Sequence, residues 1–271
     1  EKMKQKLAEW GIQSPHLINA TGLNTQTISG DPDGKGDENQ LSAYDIAVIA
    51  KHLLQDFPEV TKYTSKPTAL FSNTQIENPN LMLEGMPNYR SGVDGLRVSN
   101  STKGGITFAA STTQNGIHMI TVVLGVEAVD GDPYARFVAT SSLMNYVVRT
   151  FVSSIVVKEG DPYGKSKATI MDGKSETVLA VAKKDFYIVE KQGSQAEPKI
   201  QFKSDQESFR APVKSGTNLG KIHYTDPDKI GRGYLEDQEP TVDMVSGRTI
   251  EKSFFLKVWW NEFVRYVNEK L

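Results

Sequence analysis

Apolar residues recur at helical spacing across residues 43–56, where the positions concerned are Ile46, Ile49, Ala50, Leu53 and Leu54. Ser42 precedes this stretch and Asp45 is its third helical residue, which is the pattern of a capped helix start. We therefore expect a helix from Ala43 to about Asp56. The first ten residues read as the interior of a charged amphipathic helix that ends at Gly11. This opening predicts that the printed chain is part of something longer.

The hydrophobic period changes from Tyr89 onward. Strands are predicted over residues 92–98, 106–111 and 118–124, and Gln114-Asn115-Gly116 between the last two favours a hairpin turn. The third strand is nearly all apolar, so we expect it to be buried on both faces in the middle of a sheet. After Asp132-Pro133, residues 134–151 regain helical spacing and are expected to pack across that sheet.

Short alternating segments separated by Gly, Pro and Asp turns run from Lys158 to Val245. Strands at this spacing predict a separate small all-β domain. Helical periodicity returns from Arg248 to Leu271. We therefore predict three parts, with boundaries at residues 1–155, 156–247 and 248–271.

Composition excludes several classes of protein and of site. The 271 residues are 38% hydrophobic and 24% charged, which is typical of a folded globular chain. A net charge of −2 gives no global basic field for nucleic acid, and the lack of cysteine removes disulfides, thiolate zinc sites and cysteine nucleophiles. The four histidines lack metal-ligand spacing, and no apolar run reaches eighteen residues. We expect no metal, no cofactor and no membrane span.

An acidic loop, Asp31 to Glu38, has carboxylates at the first and third positions of a calcium-binding pattern. Lys35 occupies the fifth position and Ser42 stands where a bidentate glutamate is required, so the calcium interpretation fails. A solvated loop is predicted instead.

Four stretches, taken in order, carry a family resemblance. They are INATGLN at 18–24, LSAYDIAVIAKHLL at 41–54, GVDGLRVSNSTKGGITFAAS at 92–111 and NGIHMITVVLG at 115–125. Together they resemble the low-molecular-mass penicillin-binding proteins, which are serine D-alanyl-D-alanine carboxypeptidases of the bacterial cell wall. The resemblance implies an α+β fold: part of a penicillin-binding or β-lactamase-like antiparallel sheet with helices, then a small all-β domain and a C-terminal amphipathic helix.

The same resemblance implies acyl transfer by a serine nucleophile in a Ser-x-x-Lys motif, followed by Ser-x-Asn and by Lys-Thr-Gly on a sheet-edge strand. No serine in the sequence has lysine three residues later or asparagine two residues later. The chain is therefore predicted to lack its catalytic residues and to be inactive alone. It looks like the C-terminal portion of the family, cut within the helix that follows Ser-x-Asn.

The third motif is altered to Arg97-Val98-Ser99. Arg97 keeps a positive charge for a substrate carboxylate, although a guanidinium differs from an ammonium in reach and pKa. Val98 lacks the hydroxyl that would bind that carboxylate, and Ser99 lacks the close backbone approach that glycine allows. These three residues are either a substrate-binding strand or an ordinary one.

Three further segments have two interpretations each. Arg136 aligns with the family's arginine for the terminal carboxylate of the stem peptide, or it is a solvated arginine in a first helical turn. Lys214-Ser215-Gly216 spells a variant of the third motif, but its surroundings predict an ordinary loop. Thr102-Lys103-Gly104-Gly105 lies close to the expected site and is predicted to be a turn.

The C-terminal segment is dense in aromatic residues and flanked by lysines, and it is too short and too charged to span a bilayer. It suits the membrane interface, with Phe255, Trp259, Trp260 and Phe263 as the membrane-binding residues. The family resemblance supports this interpretation, because relatives carry a membrane-docking helix here. The alternative is a helix packed on its own β-domain.

Two functional hypotheses follow. The first is a cell-wall carboxypeptidase that trims peptidoglycan pentapeptides by an acyl-enzyme route, outside the cytoplasmic membrane and peripheral to it. The second is a non-catalytic, membrane-peripheral relative that serves as a binding or scaffolding module. The partners expected are the peptidoglycan stem peptide, β-lactams, the membrane surface and a complementary N-terminal fragment of the same protein, with no nucleic acid.

Overall fold

A computed structural model describes residues 1–13, 15–25, 28, 36–101, 103–128, 131–231 and 233–270. The chain forms two compact units, Glu1–Val152 and Ser153–Leu271. Helices and mostly antiparallel sheets together give an α+β fold, as the sequence predicts.

The helices and strands of the described residues are as follows. Helices are α1 (Lys2–Glu9), α2 (Ala43–Asp56), α3 (Thr61–Thr64), α4 (Ala135–Thr150) and α5 (Phe255–Lys270), with 3-10 turns at Pro58–Val60 and Leu235–Asp237. The first five strands are β1 (Thr68–Phe71), β2 (Thr74–Glu77), β3 (Val93–Ser101), β4 (Gly105–Gln114) and β5 (Ile117–Val126). The others are β6 (Phe151–Val157), β7 (Pro162–Met171), β8 (Thr177–Ala182), β9 (Phe186–Lys191), β10 (Lys199–Ser204), β11 (Phe209–Arg210), β12 (Asn218–Thr225) and β13 (Thr241–Ser246).

Helix α2 begins with the predicted reciprocal cap. The Ser42 hydroxyl accepts a hydrogen bond from the Asp45 amide at 3.1 Å, and the Asp45 carboxylate accepts one from the Ser42 amide at 2.9 Å. Two amide groups that a helix start leaves unpaired are thereby satisfied. The helix buries Val48 and Ala50 and packs on β5.

The first unit is built on a three-stranded antiparallel sheet in the order β3-β4-β5. The hairpin turn between β4 and β5 is confirmed: Asn115 and Gly116 have φ of 52° and 73°, the left-handed backbone that Asn-Gly tolerates. The prediction that residues 118–124 form a middle strand is wrong, because β5 is an edge strand of the described sheet. Helices α2 and α4 both pack on β5, which accounts for its apolar sequence.

Helix α4 closes the core of the first unit. Phe137 and Met144 point into a cluster with Phe108, Ala110 and other buried residues of β4 and β5. The rings of Phe108 and Phe137 meet edge to face with centroids 5.5 Å apart. Burial of each large side chain contributes roughly 1.5–3 kcal/mol, so this packing fixes the helix across the sheet, as predicted.

The second unit contains a six-stranded sheet in the order β10-β12-β13-β8-β7-β11, and strands β6 and β9 form a two-stranded sheet. Only β11 and β7 pair in parallel within the six-stranded sheet. Along β12 and β13 burial alternates, and Leu219, Ile222, Tyr224, Val242 and Met244 form the inner face. The outer face carries the charged residues of the same strands.

Candidate functional site

A cleft of about 560 Å³ opens beside the end of the β3–β4 hairpin. Residues 21–24 and 38–41 form one wall, and strand β3 with the following turn forms the other. Its lining is rich in polar groups, among them Asn24, Glu38, Arg97, Ser99 and Lys103. This cleft is the candidate substrate site of the first unit.

The residues of the altered third motif, Arg97, Val98 and Ser99, do not all face the same side of strand β3. Arg97 and Ser99 line the cleft, and Arg97 is exposed. Val98 pairs with Phe108 in the sheet and packs against the hydrophobic core. Successive side chains of a strand point to opposite faces, so a hydroxyl at position 98 would meet the core rather than the cleft lined by Arg97.

Arg136 lies in the first turn of α4 and is buried, with 7% of its surface exposed. Its Nη1 donates to the carbonyl of Ser99 at 2.9 Å and to that of Thr107 at 3.1 Å, and its Nη2 donates to the side-chain oxygen of Asn100. Burial lowers the pKa of the guanidinium, which still remains protonated at neutral pH. The contacts tie α4 to the two strands beneath the cleft.

Glu38 is a cleft residue that the sequence analysis did not predict as part of the site. Its carboxylate is buried and accepts hydrogen bonds from Asn24 Nδ2 at 2.9 Å, from the Ser101 hydroxyl and from the Lys103 amide at 3.4 Å. The prediction of a solvated loop is therefore wrong at Glu38, while residues 31–35 of that loop lie outside the described residues. No local pattern could pair Glu38 with a turn more than sixty residues away.

Asp37 forms an ion pair with the turn between β3 and β4 that Glu38 also contacts. Its carboxylate lies 3.0 Å from His16 Nε2 and 3.3 Å from Lys103 Nζ. The hydrogen bond with His16 is the main cause that lowers the pKa of Asp37 to about 2. Asp37 therefore stays ionised and holds the Lys103 ammonium at the rim of the cleft.

The two segments that resemble the third motif or lie close to it, residues 214–216 and 103–105, both contain turns. Residues 214–217 close with a hydrogen bond from the Thr217 amide to the Lys214 carbonyl at 3.1 Å, and Gly216 has a φ of 81°, so the predicted loop is confirmed. Lys103 and Gly104 form the turn between β3 and β4, as predicted. Thr102 lies outside the described residues.

Comparison with known proteins identifies the family. The family model for D-alanyl-D-alanine carboxypeptidase matches residues 1–128, and the model for the C-terminal domain of penicillin-binding protein 5 matches residues 151–252. The crystal structure of a peptidoglycan synthesis regulatory factor, PBP3, from Streptococcus pneumoniae superimposes with a TM-score of 0.87. It is 43% identical over 92% of this chain and 69% of its own. The chain belongs to the D-alanyl-D-alanine carboxypeptidase family.

Other members are more distant and longer. The carboxypeptidase DacA of Haemophilus influenzae is 28% identical over 71% of this chain and 47% of its own length. DacA of Escherichia coli K12 is 26% identical over 76% of this chain and 49% of its own. This carboxypeptidase-family chain thus spans about half the length of the curated relatives it matches. Penicillin-binding protein 5 of Haemophilus influenzae shares the fold, with a TM-score of 0.60 at 21% identity over 93% of this chain and 65% of its own.

The C-terminal helix α5 exposes most of its large side chains. Phe255, Trp259, Trp260 and Phe263 are each about half exposed or more, and the Trp259 ring stacks on Phe263 with centroids 5.9 Å apart. Within the described residues, no helix is long and apolar enough to cross a membrane.

A cluster around Arg210 attaches α5 to the β-sheet. Arg210 Nε lies 3.2 Å from the buried carboxylate of Asp172, and its Nη2 lies 2.8 Å from Glu262 on the helix. Trp260 and Val264 line a neighbouring cavity of about 360 Å³. The helix therefore contacts its own domain, and it still exposes large apolar side chains. Membrane binding by this helix stays a prediction.

Replacement of Arg136 by Ala is expected to destabilise the first unit by about 2–3 kcal/mol, because two carbonyls and an amide oxygen lose a charged donor. In a background with Trp259 and Trp260 changed to Phe, the fluorescence of Trp10 reports unfolding of this unit in urea. Arg149→Ala, at an exposed arginine of the same helix, is the matched control. Equal unfolding midpoints for the two variants would contradict the role assigned to Arg136.

Proposed function

We propose that this chain is the C-terminal part of a serine-type D-Ala-D-Ala carboxypeptidase that removes the terminal D-alanine of peptidoglycan pentapeptides. The enzyme works outside the cytoplasmic membrane, as a secreted cell-wall protein that influences cell shape, and stays peripheral to the membrane through α5. The observation that supports this function most directly is the cleft beside β3, in which an exposed guanidinium stands at a sheet edge.

In this proposal the stem peptide lies along the edge of β3 and extends the sheet by one strand. Arg97 binds the terminal carboxylate, and Ser99 lies next to the peptide in the cleft. Arg136 is a positioning residue, since its guanidinium holds the backbone of Ser99 from below. Val98 contributes packing alone.

The reaction requires a serine that these residues do not supply. A serine oxygen attacks the carbonyl carbon of the scissile peptide bond, its proton passes to a base, and the C–N bond breaks with release of protonated D-alanine. Water then attacks the acyl-enzyme ester and regenerates the serine. A segment of the same protein, either covalently continuous or a complementary fragment, provides the nucleophile in this scheme, and β-lactams would acylate the same serine.

The division of the chain follows from this role. Residues 1–155 contribute to the catalytic domain, residues 156–247 form the all-β domain and residues 248–271 form the membrane-docking helix. The two units, which divide at Val152 and Ser153, are compatible with the first of these boundaries.

A non-catalytic relative is the second candidate, and the position of Val98 favours it. Valine has no hydroxyl, and the Val98 side chain packs against the core, so position 98 offers no hydrogen bond to a substrate carboxylate. Ser99 adds a side chain where family members have glycine. A chain with these features would bind peptidoglycan or the membrane as a scaffolding module without hydrolysis.

Peptide binding at the cleft tests the first candidate. We expect an acyl-D-Ala-D-Ala peptide with a free carboxylate to shift the NMR signals of cleft residues, and its C-terminal amide to bind at least tenfold more weakly, since a charged hydrogen bond contributes about 1.5–3 kcal/mol. Arg97→Gln should remove this preference for the acid. Lys103→Gln is the control, because Asp37 already neutralises that ammonium.

Equal binding of acid and amide, or unchanged preference in Arg97→Gln, would contradict the substrate role of Arg97. Absence of any cleft shift with either peptide would favour the scaffolding alternative.

A further inference from the structure

A row of charged side chains crosses the outer face of the six-stranded sheet. Lys203 on β10 pairs directly with Lys221 on β12, and Lys221 pairs with Asp243 on β13. The amide of Lys183, just beyond β8, donates to the carbonyl of Asp243 at 3.0 Å, which extends the row by one strand. We call Lys183, Lys203, Lys221 and Asp243 the lysine row.

The row carries more positive charge than its own acid neutralises. Asp243 lies 3.7 Å from Lys183 Nζ and 3.8 Å from Lys221 Nζ, beyond hydrogen-bond distance from either. Lys203 and Lys221 are directly opposed, and like charges in that position destabilise a sheet. A folded state that keeps this repulsion is suited to an anionic partner.

Lysines at a sheet edge can prevent the edge strand from pairing with other chains, but this explains only Lys203. Strand β10 is an edge of the six-stranded sheet, where lysines such as Lys203 prevent pairing with other chains. Strand β12 is interior, so Lys221 gives no such protection, and Lys183 lies beside interior strand β13. These two lysines need another explanation.

A shallow cavity of about 350 Å³ adjoins the row and is lined by Lys183, Lys184, Thr241 and Asp243. Two ammonium groups and a hydroxyl there can donate hydrogen bonds to an anion, while the Asp243 carboxylate repels it. Anionic groups are therefore expected to contact the lysines on either side of Asp243.

We propose that the lysine row binds a flexible, phosphate-bearing polyanion laid across the strands. With strands about 4.8 Å apart, the row spans roughly 14 Å, which is more than one phosphate can contact and suits several phosphates of one chain. The row contains no aromatic side chain on which bases could stack, so the partner is a phosphate polymer without bases.

A soluble polymer fits better than the lipid bilayer. Helix α5 is attached through Arg210 of β11 and through Asp172, which directly follows β7, at one edge of the sheet. The lysine row begins at β10, the opposite edge. A flexible chain in solution can reach the row wherever α5 is docked.

Titration of the full chain with fluorescently labelled long-chain inorganic polyphosphate tests the proposal. We expect binding at low salt that weakens at least tenfold in the variant K183Q/K203Q/K221Q, with the slope of log affinity against log salt reduced by about 2. The matched control is K174Q/K214Q/K252Q, which removes three exposed lysines that precede β8 or follow β11 and β13, and it should change affinity less than twofold. Lys203→Gln alone relieves repulsion and should not lower stability.

If the two triple variants lose the same amount of polyphosphate affinity, the binding depends only on the overall charge of the chain, and the proposal is overturned. So would the absence of polyphosphate binding by the wild-type chain. A third contrary result concerns a chain that lacks residues 252–271. If this chain binds anionic vesicles through the lysine row but does not bind polyphosphate, the partner is a membrane.

Discussion

Removal of residues 252–271 is expected to abolish binding of the chain to vesicles that contain anionic lipid. Helix α5 exposes 61% of Trp259 and 58% of Trp260, and Phe254, Phe255 and Tyr266 are more exposed still. Burial of apolar surface contributes roughly 25 cal/mol per Å², so several large rings in the interface contribute several kcal/mol before ordering costs. Basic side chains near anionic lipid add about 1 kcal/mol each.

Salt separates the apolar and charged contributions. Trp259→Ala should weaken vesicle binding at every salt concentration, because the loss of an apolar ring is not screened. Lys257→Gln should weaken it only at low salt, where the Debye length is long. Trp259 is a sharper probe than Trp260, since Trp260 also lines the cavity between α5 and the sheet.

Co-sedimentation of the intact and truncated chains with the same vesicles measures the effect. A variant lacking Arg210 is a useful comparison: Arg210→Gln removes the link between Asp172 and Glu262 but leaves every exposed ring in place, so it should still bind. Equal binding of the intact and truncated chains would mean that α5 serves only its own domain.

Local signals in the sequence predicted much of the fold. The cap at Ser42 and the turn at Asn115-Gly116 depend on residues within three or four positions, and both occur as expected. The prediction that β5 is a middle strand is wrong for a physical reason. An apolar strand can be covered by neighbouring strands or by helices on its faces, and hydrophobicity alone does not distinguish the two.

The candidate site was predicted less completely, because its geometry depends on distant pairs. Arg97 could be identified from a motif, but the direction of Val98 required the register of β3 against β4. Glu38 and Arg136 are satisfied by partners between 14 and 65 residues away, so neither their burial nor their contacts could be read from local patterns.

The second prediction with a large expected effect concerns covalent labelling of the chain by penicillin. A serine reacts with penicillin only when a neighbouring base lowers the cost of removing its proton. Ser111 is a described serine that contacts a histidine, since its hydroxyl lies 3.1 Å from His118 Nε2. Ser111 is fully buried, so a penicillin cannot reach it. We therefore expect no acylation of this chain by itself.

Incubation of the purified, folded chain with a fluorescent penicillin is the most direct test of this account, in which a carboxypeptidase-family chain depends on a nucleophile outside its 271 residues. A penicillin-reactive carboxypeptidase labelled in parallel is the positive control, and heat-denatured chain is the background. We predict no labelled band above that background, for the wild-type chain and for Ser111→Ala alike. A covalent adduct mapped by mass spectrometry to any serine of this chain would contradict the account.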